Sequence, residues 1–308
     1  MENNPATTTP AGYHRPVLLQ ESVDGLDVKP DGVYVDLTYG GGGHSKLILE
    51  RLGKGGKLIA FDRDADATNN IQEDERLTLV GHNFRFMQQF LEYMKIAEVD
   101  GILADLGVSS HQFDEGGRGF SYRFEADLDM RMDIESELSA VVVLNNYPEE
   151  KLADIFKNYG ELHQARKMAK LIIEYRKSKQ IKTTSHLQEA IRPATPLHDE
   201  YQTWSKVFQA LRIEVNGELE VLKMMLPQAE RMLKKAGRLA IISFHSLEDR
   251  IVKNYIQKGN VEGEEVKDFY GNKQGGLKQA RKMIVPTDEE ISLNPRARSA
   301  KLRIAEKI

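Results

Sequence analysis

Apolar residues in the first third of the chain fall into short runs. Residues 33–37, 57–62, 77–81 and 99–106 are each bounded by Gly, Asp or Asn, as strands buried on both faces would be. Segments 45–52, 65–73 and 86–96 lie between them with helical spacing. This alternation predicts an α/β fold with a mostly parallel sheet, covered on both faces, whose ligand sits at the carboxyl ends of the strands. Asp36, Asp62 and Asp105 all fall at such ends. After Asp105 the rhythm breaks, and residues 106–133 sustain neither period. A loop this long in a compact domain is functional or disordered. Its aromatics, arginines and methionines argue against disorder. Residues 148–178 and 184–192 read as helices with core stripes such as Leu152, Ile155, Phe156 and Met168, Leu171, Ile172. A long helical run follows at 206–235, interrupted at Pro227. A strand at 238–244, a helix opening at Ser246 and strand-forming runs at 282–285 and 301–305 complete the pattern. The expected layout is a sheet domain made of 13–106 and 206–308, split by an inserted loop and helical domain, 107–205, after a disordered lead, 1–12.

Composition narrows the chemistry. The 308 residues include no cysteine, which removes disulfides, thiolate zinc sites and cysteine nucleophiles together. That suits a reducing cytoplasm. Residues 1–12 lack the basic and apolar regions of a signal peptide, and no apolar run has the length of a membrane span. The net charge of −4 excludes a uniformly basic nucleic-acid coat, but its distribution is uneven. Residues 163–182 hold seven Lys/Arg against one acid, and 276–303 hold seven against three. Such runs are either solvated faces or local contacts to an anionic polymer. Arg166, Lys167 and Lys170 are the candidate phosphate contacts.

The densest chemistry lies between Tyr34 and Asp62. An apolar run ends in Asp36, a loop of four glycines (Gly40, Gly41, Gly42, Gly43) leads through His44 into a helix, and a second strand ends in Asp62. Glycines admit a ligand close to the backbone, helix N–H groups face it, and the acid takes two ribose hydroxyls. The dinucleotide fingerprint fails, because Ser45 or Lys46 occupies the place of its last glycine. The loop therefore suits the amino-acid end of S-adenosylmethionine better than a pyrophosphate. An ordinary tight turn is the competing reading, and the two strand-end acids weigh against it. No His/Asp/Glu cluster has metal-ligand spacing, so no metal is expected.

Eight segments carry a specific resemblance: HRPVLL (14–19), DLTYGGGGHS (36–45), FDRD (61–64), DGILADLGVSS (100–110), RGFSYRFEADLDMRMD (118–133), FQALRIEVNGEL (208–219), ISFHSLEDRIVK (242–253) and NPRARSAKLRIAE (294–306). In this order they resemble the bacterial MraW/RsmH family of S-adenosylmethionine-dependent methyltransferases. The resemblance implies a class I, Rossmann-like methyltransferase fold with an inserted helical substrate-recognition domain. It also implies methylation of N4 of a cytidine in the decoding region of 16S rRNA, within the small ribosomal subunit. Carried over, the family's cofactor contacts fall on Gly42, Gly43, His44, Asp62, Phe84, Asp105 and Gln112. Phe84 is otherwise a core aromatic, and His44 a capping or packing histidine. Three places depart from the family: Gly41 stands where relatives often carry Arg, Tyr159–His163 lacks the usual Glu-Arg pair, and the linker after Leu247–Arg250 is abbreviated.

An exocyclic cytosine amine is a poor nucleophile, so acceptors for its protons and alignment with the methyl must supply the catalysis. Asp105, Asp129 and Arg131 are the candidate contacts to the base. The alternative for Asp129 and Arg131 is an ion pair that only pins the loop. His245 either assists proton removal or only shapes the pocket. Phe120, Tyr122 and Phe124 offer stacking faces for a splayed nucleotide. A nicotinamide-dependent oxidoreductase and a non-catalytic RNA-binding assembly factor are the competing classes. A homodimer stays open.

Overall fold

The computed structural model describes residues 16–64, 71, 73–107, 116–265 and 275–308. The expected lead, most of the expected helix at 65–73, and Gln112 lie outside them. Contacts divide the chain into two units. The sheet unit holds the described residues up to Leu106, with Ala229–His245 and Val252–Ile308; the helical unit holds Gly107–Gln228 and Ser246–Ile251. Among the described residues no helix is long and apolar enough to cross a membrane.

The sheet unit is built on seven strands: β1 (Val33–Asp36), β2 (Lys57–Phe61), β3 (Leu77–Val80), β4 (Val99–Asp105), β5 (Leu233–Ser243), β6 (Leu277–Gln279) and β7 (Lys301–Lys307). Their spatial order is β3-β2-β1-β4-β5-β7-β6. The first five are mutually parallel, whereas β7 runs antiparallel to both β5 and β6. β4 is buried along nearly its whole length, as a parallel strand covered on both faces requires. Helices α1 (Leu19–Leu26) and α2 (Gly43–Arg51) bury Val23, Leu26, Ile48 and Leu49 in a core shared with Tyr34, Leu58, Leu103 and Ile304. A short α3 (Met87–Tyr93) follows a 3₁₀ turn, Phe84–Phe86.

The strand expected at 282–285 is displaced. β6 lies at Leu277–Gln279, where Lys278 faces Glu306 across the ladder and pairs with it at 2.8 Å. Glu306 also binds Arg238 on the other side at 2.7 Å. One carboxylate thus ties three strands and sets their register. Of 282–285, Ile284 contributes a single bridge to Leu302.

The helical unit contains α4 (Ala140–Asn146), α5 (Glu149–Asn158), α6 (Ala165–Arg176), α7 (Thr184–Ile191), α8 (Glu200–Asn216) and most of α9 (Glu218–Met232). Leu144, Phe156, Met168, Ile172, Leu187, Phe208 and Leu211 form its core. Two breaks differ from the expected pattern. The run at 148–178 is split between α5 and α6, where Glu161 adopts φ +48°. Glu161 then accepts from Ser246 Oγ at 2.8 Å and pairs with Arg250 at 3.1 Å. The second break falls at Gly217 rather than Pro227. Gly217 takes the left-handed conformation, φ +59°, that ends α8, and it is the residue type that does so without a Cβ penalty. Pro227 sits inside α9, where buried Leu222, Met225, Leu226 and Ala229 hold the helix together across the missing N–H. The final helices are α10 (Ser246–Lys258) and α11 (Asp288–Leu293).

Candidate active site

In the sheet unit the candidate residues follow successive strands. Reading across β3-β2-β1-β4-β5, the segments after the strands carry Phe84, Asp62, the glycine loop, Asp105 at the strand end, and His245. The loop after β1 is organised from beneath by Asp36. This carboxylate is fully buried, accepts from the Ser45 hydroxyl at 2.7 Å and from the Thr38 N–H at 3.1 Å, and burial pushes its pKa up. Thr38 Oγ1 in turn accepts the Asp105 N–H at 2.7 Å, which locks the end of β4 to the loop after β1. Asp36 is therefore a scaffold acid, and Asp62 and Asp105 are the half-exposed ones.

Gly40 and Gly42 have φ +50° and +73°, which other residues adopt only with strain. A Cβ on Gly43 would lie 2.2 Å from Pro16 Cγ, whereas one on Gly41 would meet nothing within 4 Å. Gly41 is thus open to a side chain, whereas Gly43 is not. Gly42 caps α2 without a side-chain hydrogen bond, so the N–H groups of the first turn remain for an anionic ligand group. His44 turns inward. Its ring is buried, burial pushes its pKa down to about 4, and Nε2 donates to the Val17 carbonyl at 3.1 Å. The packing role considered for His44 describes its ring.

Asp62 Oδ2 accepts from the Gly40 N–H at 2.8 Å and Oδ1 from the Asp64 N–H at 2.8 Å. Burial pushes its pKa up. Each oxygen keeps a second lone pair, so the same carboxylate that shapes the glycine loop can accept from a vicinal diol. Phe84 is half-buried in its 3₁₀ turn, which Asn83 caps by accepting the Arg85 N–H at 2.9 Å. These features fit S-adenosylmethionine: uncapped N–H groups for its carboxylate, an acid for its ribose and an aromatic after β3.

In the helical unit Asp129 and Arg131 form a bidentate pair, with Arg131 Nε 2.6 Å from Oδ1 and an Nη 2.9 Å from Oδ2. Arg131 also donates to the carbonyls of Ile134 and Ser136. Burial raises the Asp129 pKa, but the hydrogen bonds and charge of Arg131 outweigh it and hold the carboxyl below its usual range. The pair pins the loop, and Met130 between its members is left-handed at φ +58°. Asn216, which sequence reasoning did not single out, clamps the same loop. Its Oδ1 accepts the Met132 N–H at 2.8 Å and its Nδ2 donates to the Met130 carbonyl at 2.7 Å. Arg212 and Glu218, flanking Asn216 and Gly217, form another bidentate pair at 2.8 and 2.9 Å.

The three aromatics proposed as stacking faces separate. Phe120 is buried in the core and offers no face, Tyr122 is half-buried, and Phe124 is exposed. Arg166, Lys167 and Lys170 all project from α6 to the surface, while Ala165, Met168 and Ala169 bury the opposite side.

A reversed strand in the next-to-last place of a seven-stranded sheet, behind a loop that fails the dinucleotide fingerprint, sets this molecule apart from nicotinamide-binding folds. It is an S-adenosylmethionine-dependent methyltransferase of the Rossmann-like class. The chain matches the model of the MraW methylase family over residues 11–308 and belongs to that family. A Flavobacterium johnsoniae protein named ribosomal RNA small subunit methyltransferase H is 55% identical over 301 residues, spanning 98% of this chain and 100% of its own. A protein of the same name from Bacteroides fragilis is 55% identical over 296 residues, spanning 96% of this chain and 97% of its own.

Proposed function

We propose that this chain methylates N4 of a cytidine in the decoding region of 16S rRNA, in the small ribosomal subunit and in the cytoplasm. The observation that carries this reading is identity above half, over nearly the full length, to proteins named for small-subunit rRNA methylation. S-adenosylmethionine, when bound, supplies an electrophilic methyl on a sulfonium. The chain's own groups do the rest. First-turn N–H groups at Gly43 and His44 hold the methionine carboxylate, Asp62 holds the ribose, and Phe84 covers the adenine; Gln112 belongs to the same contact set. Asp105 and Asp129 are the carboxylates that accept from the amine's protons so that its lone pair points at the methyl, and Arg131, which can only donate, holds Asp129 in place for that role. The N4–C bond forms as the sulfur–methyl bond breaks, and the amine proton leaves, to His245 or to solvent. Arg166, Lys167 and Lys170 hold phosphates of the substrate. The reading requires no second copy of the chain.

The test uses small subunits from a strain lacking this protein, the purified chain and labelled cofactor, with the product nucleoside identified by mass. N4-methylcytidine is the expected product. A label on any other nucleoside, or on none, overturns the assignment.

A further inference from the structure

The helical unit also carries a shallow aromatic groove. A depression of about 320 Å³ is lined by Tyr122, Arg123, Gln188, Glu200, Tyr201 and Trp204. Its two tyrosines face one another with ring centroids 6.5 Å apart and planes inclined by 40°. Tyr122 is held edge-on by Phe208 at 6.0 Å. Tyr201 leaves 75% of its surface to solvent, so its ring is accessible from the groove. The spacing is close to two stacking distances, so a small swing of the exposed ring opens a slot for one flat heterocycle.

The polar groups around the slot match a nucleobase. Gln188 donates one N–H to the Tyr122 carbonyl at 2.9 Å, which fixes its amide and leaves a second N–H and the carbonyl oxygen for a ligand edge. Glu200, paired with Arg192 at 3.3 Å, adds an acceptor for an exocyclic amine. Arg123 lies over the Tyr122 ring at 5.9 Å and lines the groove, a cation near which a phosphate would trail. An apolar peptide side chain would use the rings but leave the amide and carboxylate without a role.

We propose that this slot binds an unpaired, amine-bearing base of the RNA substrate, stacked between Tyr122 and Tyr201, as a docking contact of the helical unit. The proposal rests on the rRNA methyltransferase reading. Trp204 makes it directly testable, because it is the single tryptophan of the chain and lines the slot. Titrating the full chain with a single-stranded hexacytidylate should quench tryptophan emission saturably. An abasic hexamer with the same phosphates should not. Tyr201→Ala, at an exposed position that the fold does not need, should weaken hexacytidylate binding by about tenfold or more, as expected for loss of one stacking ring. Tyr201→Phe should restore it. On small subunits Tyr201→Ala should raise KM and leave kcat unchanged. Equal quenching by the abasic hexamer would mean that the groove reads phosphate alone and would sink the proposal. So would parental binding by Tyr201→Ala. Either result leaves N4-methylcytidine production by the parent intact, so failure of the slot is distinguishable from failure of the enzyme assignment.

Discussion

At the scale of single residues, Asp62 and His44 both fix the glycine loop, Asp62 by accepting the Gly40 N–H and His44 by a ring buried against the Val17 carbonyl. If Asp62 holds ribose as proposed, Asp62→Ala removes two charge-assisted hydrogen bonds to it, each of about 1.5–3 kcal/mol, along with those the carboxylate accepts from the Gly40 and Asp64 N–H groups. Affinity for S-adenosylmethionine, measured by calorimetry, should fall at least about tenfold while the protein still melts cooperatively. Unchanged affinity would remove Asp62 from the ribose contact. His44 is buried neutral, with its pKa lowered to about 4 from 6.5. The unfolded chain takes up a proton below about pH 6.5 that the folded one refuses, so this stability is present above pH 6.5 and is lost as pH falls toward 4, by about 3 kcal/mol in all. Asp36 and Asp62, with raised pKa values, act in the opposite sense. The difference between parent and His44→Gln therefore isolates the effect. Urea midpoints should fall more steeply for the parent than for the variant between pH 6.5 and 4, and parallel curves would refute a buried neutral imidazole. Strand-end acids and a glycine run were legible in sequence because each is a local signal. Thr38 was not, because its role is to accept an N–H from Asp105, 67 residues away.

At the scale of elements, the junction between α8 and α9 is the most instructive. Sequence reasoning placed the interruption at Pro227, since proline lacks an N–H. It underrated Gly217, whose left-handed cap ends α8, and it could not see what the residue before it does. Asn216 bonds to a loop 84 residues earlier, a distance no periodicity reports. Asn216→Ala strands the Met132 N–H and the Met130 carbonyl, each at about 1–3 kcal/mol. The expected loss is at least about 2 kcal/mol in urea denaturation, with faster amide exchange confined to residues 129–132. Exchange unchanged there would mean that the Asp129–Arg131 pair holds the loop alone. The displaced β6 teaches the same lesson. Residues 282–285 are the more strand-like by composition, yet Glu306 selects Lys278 as its cross-strand partner.

At the scale of the whole molecule, a chain of net charge −4 must bind a polyanion through local concentration of positive charge. The exposed face of α6 is the candidate. Replacing Arg166, Lys167 and Lys170 with Gln should reduce the slope of log affinity against log salt by about 2, at about 0.7 per lost phosphate contact to a single strand. Binding of S-adenosylmethionine should not change. A parental salt slope would return α6 to the status of a solvated helix face, and the charge run that marks it in the sequence supports both outcomes equally.

The position of β7 has a consequence for how the protein is made. β7 comes after every other strand in the sequence but lies inside the sheet, between β5 and β6. While a ribosome works through the roughly 60 residues from β5 to β7, an interval of roughly 3 to 12 seconds, the apolar edge Leu239–Ile242 has no neighbour on that side. Each nascent copy therefore passes through a vulnerable stage that chaperones or fast neighbouring helices must cover. A chain ending at Ser299 would be arrested in that stage. It should aggregate on dilution from denaturant under conditions where the full chain refolds, and clean refolding of the shortened chain would show that β5 does not depend on its late partner.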